Sequence, residues 1–157
     1  MLENNAVEGV LRTLGLSRGQ ALSAVDCLEY VPAVEAPSHG RLDQLRVTLG
    51  QKRFRFRCAS DGEEIAVDTD DIKPCHMEKH GVMRLRNLSH ASEFRGIQFS
   101  TLREVSAAMT PNGTVIGLAL EFGEGCLVVC NWGDELKVYH SVPLALFAAE
   151  AIRLRLI

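Results

Sequence analysis

The chain has 157 residues and a mass of 17.3 kDa, which suits one domain or two small halves that share a core. Hydrophobic residues make up 46% and charged residues 24% of it, as is ordinary for a soluble globular protein, and no window approaches the run of about 18 apolar residues typical of a membrane span. The formal net charge of −3 argues against a dedicated nucleic-acid binder, which usually carries a basic excess.

The amino-terminal segment and the cysteines indicate the compartment. The segment MLENNAVEGVLRTLG has acids where a signal peptide has basic residues, and it lacks a long apolar core. Five cysteines, an odd number without the spacing of a disulfide framework, are typical of reduced buried thiols. We therefore expect a cytoplasmic protein with no membrane partner.

The first half of the chain begins with a short helix and continues as strands. Apolar residues at helical spacing predict an amphipathic helix over residues 2–14 that ends at Gly15 and docks on the rest of the chain. Alternating apolar residues, with turns rich in Gly, Pro and Asp, predict the elements that follow. These are a strand over 20–32, a loop over 32–41, a hairpin over 45–58, a strand over 65–67, a turn of exposed helix over 75–81 and a strand over 82–88.

The second half repeats this order of elements. The same patterns predict strands over 99–109, 116–122, 126–130, 136–138 and 151–157. A Pro at the first turn and good helix formers predict a buried helix over Pro143–Ala151.

Four features recur in both halves in the same order. They are a hairpin, a cysteine (Cys58 and Cys130), a turn containing Gly and acids, and a Pro followed by Arg-Leu-Arg. Such self-similarity indicates a duplicated unit. We therefore predict a single β-rich α+β domain over 1–157: a tandem duplication of an antiparallel β unit, about 17–88 and 93–157, with a short helix in each copy, pseudo-two-fold symmetry and an N-terminal helix. The patterns leave open whether the two copies form one continuous sheet or two facing sheets.

The residues that could carry chemistry form no recognisable catalytic motif. His76 and His80 are four residues apart, a spacing that can hold zinc on a helix, but no third ligand or paired CxxC accompanies them. Cys126 and Cys130 share one face of a strand and are explained as small core side chains. The glycines match no phosphate-binding loop. We therefore predict no catalytic residue, metal or cofactor.

Charged side chains follow a stronger pattern. Lys52, Arg53, Arg55 and Arg57 form a basic stripe on one strand, and Arg84, Arg86, Arg153 and Arg155 either extend it or pair with acids. The acids and the single tryptophan of the turns form the candidate partner-binding set, because complementary charge and exposed aromatic side chains are typical of interfaces. The set is Trp132, Asp134, Glu135, Asp61, Glu63, Glu64, Asp68, Asp70 and Asp71. The alternative is that these acids and the stripe are solvated faces or edge-strand guards, and that the tryptophan covers the end of the sheet.

The run IGLALEFGEGCLVVCNWGDELKV, residues 116–138, resembles a hairpin of small bacterial immunity proteins from polymorphic-toxin and contact-dependent inhibition systems. The run makes up 23 of the 157 residues of the chain. The resemblance implies a cytoplasmic protein that neutralises a cognate toxin by binding it.

The function that we expect is therefore a non-enzymatic protein-binding module of the immunity type, whose partner is a toxin domain. One alternative is a small-molecule binder or enzyme with its site in the cleft between the repeats, using His140, Cys130 or Trp132. Another is a structural module that forms a homodimer through exposed sheet edges. Nucleic acid is not an expected partner.

Overall fold

The computed structural model describes residues 2–33 and 41–157, except the side chains of residues 2–7, 76 and 79. The protein is a β-rich α+β domain with an N-terminal helix, as the sequence predicts. This helix, α1 (Leu2–Leu16), is longer than expected and runs through Gly15. It ends in the turn at Gly19, which has the positive φ of 88° that glycine adopts without strain.

The first half of the chain forms an antiparallel sheet, sheet 1. Its strands are β1 (Leu22–Pro32), β2 (Arg41–Leu49), β3 (Lys52–Cys58), β4 (Ile65–Asp68), β5 (Cys75–His76) and β6 (Gly81–Asn87). They lie in the order β4-β3-β2-β1-β6-β5. The loop expected over 32–41 falls largely outside the described residues.

The second half forms sheet 2, also antiparallel. A short helix, α2 (Ser92–Arg95), precedes it, and its strands are β7 (Leu102–Met109), β8 (Val115–Phe122), β9 (Gly125–Trp132), β10 (Glu135–Tyr139) and β11 (Arg153–Leu156). Helix α3 (Leu144–Ala149) lies between β10 and β11. The strand order is β10-β9-β8-β7-β11.

The two sheets have the same connectivity apart from β5. In each, four strands form a meander and a last strand returns beside the first. The register agrees as well, because Cys27 in β1 pairs with Arg86 in β6 and Ala107 in β7 pairs with Arg155 in β11. The two Arg-Leu-Arg segments therefore occupy equivalent places, as expected for a duplicated unit.

The two sheets meet where β1 and β7 begin. There the chain forms an isolated antiparallel bridge, flanked by two backbone hydrogen bonds of 2.9 Å. Leu22 N donates to Ser100 O, and Leu102 N donates to Gln20 O. Leu22 and Leu102 are equivalent in the two repeats, and so are Gln20 and Ser100, so the two hydrogen bonds are related by symmetry. This is the relation that a pseudo-two-fold axis through this point requires.

The sheets face each other across one hydrophobic core, which answers the question that the sequence left open. The alternating apolar residues of both sheets point into it, and α1 contributes Leu14. Its largest fully buried side chains include Phe54, Phe56, Leu22, Leu45, Leu49, Leu102, Leu118, Leu120 and Leu127. Because this core draws on both repeats, neither repeat has a complete core of its own.

The outer faces of the two sheets differ. The outer face of sheet 2 is apolar and carries a small second cluster beneath α3, in which Phe147 is the buried side chain of the helix. We expected α3 to be a buried helix, but Leu144 on the same helix is exposed, so α3 buries one face only. The outer face of sheet 1 carries the basic stripe of β3.

Two further expectations are wrong, the first of them only in part. The helical turn expected over 75–81 is present as a 3-10 turn over Glu78–His80, but Cys75 and His76 before it form the short strand β5, because they pair with β6. Among the described residues, no α-helix of the first repeat lies on sheet 1 as α3 lies on sheet 2.

The second wrong expectation is the match between Cys58 and Cys130. Cys58 pairs with Ile65 at the start of β4. The counterpart of Ile65 in the second repeat is Leu136, which pairs with Asn131. Asn131, not Cys130, is therefore the counterpart of Cys58. Since a shift of one residue turns a side chain to the other face of a sheet, Cys130 lies on the outer face and Cys58 beside the inner core.

Candidate functional site

The two turns that contain Gly and acids, one from each repeat, lie against each other at one end of the molecule. The buried side chain of Asn131 joins them: its Nδ2 donates to Glu64 O at 2.9 Å, and its Oδ1 accepts from Asp134 N at 3.0 Å. A Cβ placed on Gly62 would lie 3.8 Å from the Asp134 carboxyl group. The structure therefore brings together acids that are about 70 residues apart in sequence.

Each turn is shaped by its own residues. In the first repeat, Asp61 Oδ1 accepts hydrogen bonds from the backbone N–H groups of Glu63 and Glu64 at 2.9 and 3.0 Å. These bonds favour the ionised form and hold the pKa of Asp61 below its usual value. In the second repeat, Gly133 and Asp134 both have positive φ, 61° and 64°, as the two-residue turn of a tight hairpin requires.

Four carboxylates of these turns are exposed and form no ion pair with any described residue. We call Asp61, Glu63, Glu64 and Asp134 the turn cluster. Glu135 lies beside them but pairs with Lys137 at 2.8 Å, which neutralises it in part. The turn cluster is therefore a concentrated negative surface to which both repeats contribute.

Trp132 lies next to the turn cluster. It is half-buried, packs against the outer cluster of sheet 2 and lines an open groove of about 550 Å³. The same groove is also lined by Glu63 of the first repeat and by Pro111 of the second. Trp132 thus covers the end of sheet 2 and also presents part of its ring beside the acids.

The other three acids of the predicted set, Asp68, Asp70 and Asp71, lie elsewhere, on the basic stripe of sheet 1. Arg55 bonds both carboxylate oxygens of Asp68 at 2.7 Å and contacts Asp70 at 3.3 Å. These acids face the arginines of their own sheet, so the structure does not bring them to the turn cluster.

The remaining arginines of the stripe are also paired. Arg57 contacts Asp68 at 3.3 Å, and Arg46 and Arg53 each lie 3.8 Å from Asp71. The basic stripe and the acids beside it therefore neutralise each other on the outer face of sheet 1. This arrangement favours the alternative stated above for these residues, in which the acids and the basic stripe form a solvated face.

Cys58, Cys126 and Cys130 are poor nucleophiles. Burial raises the pKa of Cys130 to about 12, and burial together with the Asp134 carboxylate raises the pKa of Cys58 to about 11. Burial also raises the pKa of Cys126. His140, the proposed partner of such a thiol, instead packs edge-on against the Phe94 ring at 5.1 Å. The thiol is the unreactive form, so these cysteines favour a structural role.

Among the side chains that the structure describes, no three His, Cys, Asp or Glu lie close enough to hold a metal ion. The predicted pair His76 and His80 is not covered by this statement, because the side chain of His76 lies outside the described residues. In the described ranges, no helix combines the length and the apolar character needed to cross a bilayer.

Sequence reasoning missed Asn131, the residue that joins the two turns. The available signal was a polar amide at the end of an otherwise apolar strand. The match of Cys58 with Cys130 concealed it, because it placed Cys130 at the position that Asn131 occupies. The groove beside Trp132, formed in part by residues 110–114, was also missed, because nothing local marks a contact between two distant turns.

Comparisons of the chain with protein-family models, with curated proteins and with solved structures find no match.

Proposed function

We propose that the chain is a non-enzymatic protein-binding module of the immunity type, which neutralises a cognate toxin domain in the cytoplasm by covering it with the turn cluster and Trp132. The observation that carries the proposal is the joining of the two acidic turns by Asn131. It concentrates four carboxylates on one end of a small scaffold.

The state of these carboxylates supports the proposal. The other acids of the predicted set are paired with arginines of sheet 1 or with Lys137, whereas the turn cluster is exposed and unpaired within the described chain. Complementary charge accelerates association and excludes wrong partners. The partner surface that fits is a basic one, such as the cleft of a toxin that acts on a polyanion.

Trp132 supplies the apolar part of the surface. Binding energy in interfaces is concentrated in a few residues, often Trp, Tyr or Arg, surrounded by polar contacts that exclude water. Trp132 is held by the outer cluster of sheet 2, so little conformational freedom would be lost when a partner covers it.

The test is isothermal titration of the chain with the toxin domain encoded beside it. We expect a dissociation constant below about 1 μM, and a loss of roughly 30-fold or more in Trp132→Ala, since anchoring residues contribute at least about 2 kcal/mol. The double variant Glu63→Lys/Asp134→Lys should bind still more weakly. A matched double variant, Glu93→Lys/Glu104→Lys, reverses the same number of exposed charges away from the turns and should bind like the native chain. Absence of binding at micromolar concentration contradicts the proposal.

A second candidate function is small-molecule binding in the groove between the repeats. The observation that favours it is the groove itself, whose walls come from both repeats and whose volume of about 550 Å³ lies in the range of ligand sites. The raised thiol pKa values argue against a cysteine nucleophile there. Since Trp132 is the single tryptophan, its fluorescence reports directly on this groove. A saturable change that Glu63→Gln abolishes would favour this function over toxin binding.

A further inference from the structure

Strand β11 is an edge of sheet 2. It pairs with β7, and no described residue pairs with its other side. All four residues, Arg-Leu-Arg-Leu, are exposed. Ile157 N, just beyond the strand, donates to Val105 O at 2.9 Å. Because hydrogen-bonded pairs alternate in an antiparallel ladder, the N–H groups of Leu154 and Leu156 point to the free edge.

The first repeat shows what the equivalent arginines do. In sheet 1, Arg84 Nε donates to the buried carboxylate of Glu29 at 2.8 Å, and Arg86 lies 3.5 Å from the same carboxylate. Both arginines therefore converge on one acid that β1 supplies.

The second repeat keeps the arginines and lacks the acid. Arg84 faces Glu29 across the β1–β6 ladder, and the equivalent Arg153 faces Met109 across the β7–β11 ladder. Arg153 and Arg155 have no ion pair with a described residue. The two arginines are thus left without the carboxylate that their counterparts bind.

The first repeat also provides an example of strand addition. There β5 pairs with the outer side of β6, the counterpart of β11, through Cys75 with Met83 and His76 with Val82. An extended segment can therefore add to this side of the repeat. The residues of β6 that β5 pairs with, Val82 and Met83, come just before Arg84, the counterpart of the first residue of β11.

Charge disfavours a second copy of β11 as the occupant. Two copies related by a two-fold axis would pair antiparallel, and the registers that overlap the strands most, with Leu154 opposite itself or opposite Leu156, place Arg153 opposite Arg155 or Arg155 opposite itself. Like charges directly opposite each other destabilise a strand pair. The occupant must instead bring acids to the arginine side of the strand. On the other side it meets Leu154 and Leu156, which are 42% and 59% exposed.

We propose that β11 binds an extended segment of a partner protein in which acidic and apolar residues alternate, and that this segment adds to sheet 2 as a sixth strand. Its carboxylates bind Arg153 and Arg155 as Glu29 binds Arg84 and Arg86, and its apolar side chains cover Leu154 and Leu156. Backbone hydrogen bonds provide affinity in this mode, and the alternate side chains provide specificity. This surface does not include the turn cluster, so the inference does not depend on the proposed function.

The test uses a labelled eight-residue peptide in which Glu and Val alternate, with both ends blocked, and follows its fluorescence anisotropy at low salt. We expect saturable binding that falls about tenfold in Arg153→Ala/Arg155→Ala, since bonds to charged groups contribute roughly 1.5 kcal/mol or more. Met109→Glu should also abolish binding, because a glutamate at this position would bind Arg153 and Arg155 as Glu29 binds Arg84 and Arg86, and so would compete with the peptide. Lys52→Ala, which removes an exposed cation from sheet 1, should have no effect.

Two controls separate strand addition from simple charge attraction. A peptide methylated on its valine nitrogens keeps its carboxylates but lacks the N–H groups that would bond the backbone of Leu154 and Leu156 in antiparallel pairing, so it should bind much more weakly. On binding of the unmodified peptide, hydrogen exchange at the amides of Leu154 and Leu156 should slow, while that of Ile157 should change little. Absence of saturable binding at 1 mM peptide, or binding without protection of Leu154 and Leu156, overturns the proposal and leaves Arg153 and Arg155 as guards against edge pairing.

Discussion

The side chain of Asn131 is buried at the end of β9 and uses both of its polar atoms, one for each acidic turn. An amide suits this position because it donates to one backbone group and accepts from another. A carboxylate could not donate to the Glu64 carbonyl and would add charge beside four acids. The orientation of the turn cluster thus depends on a neutral residue.

Asn131→Ala should destabilise the protein by about 1–2 kcal/mol, because the Glu64 carbonyl and the Asp134 N–H lose their partners close to the surface. The measurement is urea unfolding, with hydrogen exchange at the Asp134 amide as the local readout. Faster exchange at Asp134 with an unchanged core is the expected pattern. Unchanged exchange at this amide would show that Asn131 does not hold the turn.

Asp68 gives sheet 1 a dependence on acid pH. Partial burial alone would raise its pKa, but the hydrogen bonds from Arg55, from Asp70 N and from Arg57 outweigh that effect and hold the pKa below the ordinary value of 3.8. The folded state therefore binds this proton less readily than the unfolded state. The stabilisation is present above pH 3.8 and is lost as the pH falls through the lowered value.

Asp68→Asn should remove that dependence. We expect it to cost about 1 kcal/mol at pH 7, because the pair is partly exposed and solvent screens it, and to cost progressively less as the pH falls below 3.8. Unfolding measured by denaturant between pH 7 and pH 2 tests this. Asp71→Asn is the control, since its arginine contacts are 3.8 Å long and its side chain is exposed. Parallel pH curves for the native chain and Asp68→Asn would contradict the account.

At the scale of elements, α3 distinguishes the two repeats. The outer face of sheet 2 carries small apolar residues, among them Ala108, Ala119 and Val128, and Phe147 fills the space above them. Sheet 1 has a charged outer face, and its described segment equivalent to α3 is β5 with a single 3-10 turn. The apolar outer face is therefore the one that a helix covers, and the charged outer face is the one without an α-helix in the described residues.

Phe147→Ala should destabilise the protein by about 3 kcal/mol or more, because the ring is 4% exposed and its removal leaves a cavity above sheet 2. Leu144→Ala on the same helix should change stability by less than about 0.5 kcal/mol, since Leu144 is 74% exposed. Thermal and urea unfolding of the two variants make the comparison. Equal effects would show that α3 does not pack on sheet 2 through Phe147.

Periodicity predicted the strands that line the core well because one face of each is buried. The hairpins of β2–β3 and β8–β9 follow from alternating apolar residues and glycine turns. It predicted β5 wrongly, since two residues carry no periodic signal and their pairing with β6 is a long-range contact. The match of Cys58 with Cys130 was wrong by one residue. The turns that follow β3 and β9 differ in length, so similar residue types do not fix which positions are equivalent, and the strand pairing is needed to do so.

The candidate site was predicted only in part for the same reason. Composition identifies exposed acids and a single tryptophan, but it does not show which acids meet. The grouping of Asp61 with Asp134, and the pairing of Asp68 with Arg55, depend on how two sheets are placed face to face.

At the scale of the whole molecule, one core joins the two repeats. It includes Phe54 and Phe56 from sheet 1 and Leu118 and Leu120 from sheet 2, all fully buried. A separated repeat would expose its entire inner face to water, and so small a domain lacks another core to replace it. The duplication has therefore produced one cooperative unit.

We expect the fragments 1–90 and 91–157 to be unfolded when produced separately, and the full chain to unfold in a single transition. Circular dichroism and amide NMR dispersion of each fragment, and unfolding of the full chain followed by two signals, provide the test. Trp132 fluorescence reports on sheet 2, and far-ultraviolet dichroism reports on both sheets. A fragment with native-like dispersion, or two separate transitions, would show that the repeats are independent domains.

If the turn cluster recognises a basic protein partner, as we propose, charge attraction should accelerate its association with the proposed toxin domain, and the association rate at low and high salt measures this effect. The variant to compare with the native chain is Asp61→Asn/Glu63→Gln/Glu64→Gln/Asp134→Asn, which keeps the turn geometry because amides accept the same hydrogen bonds. The account predicts that the native chain associates about tenfold or more faster at low salt, and that the variant loses this acceleration. Equal rates and equal salt dependence in the two proteins would contradict it.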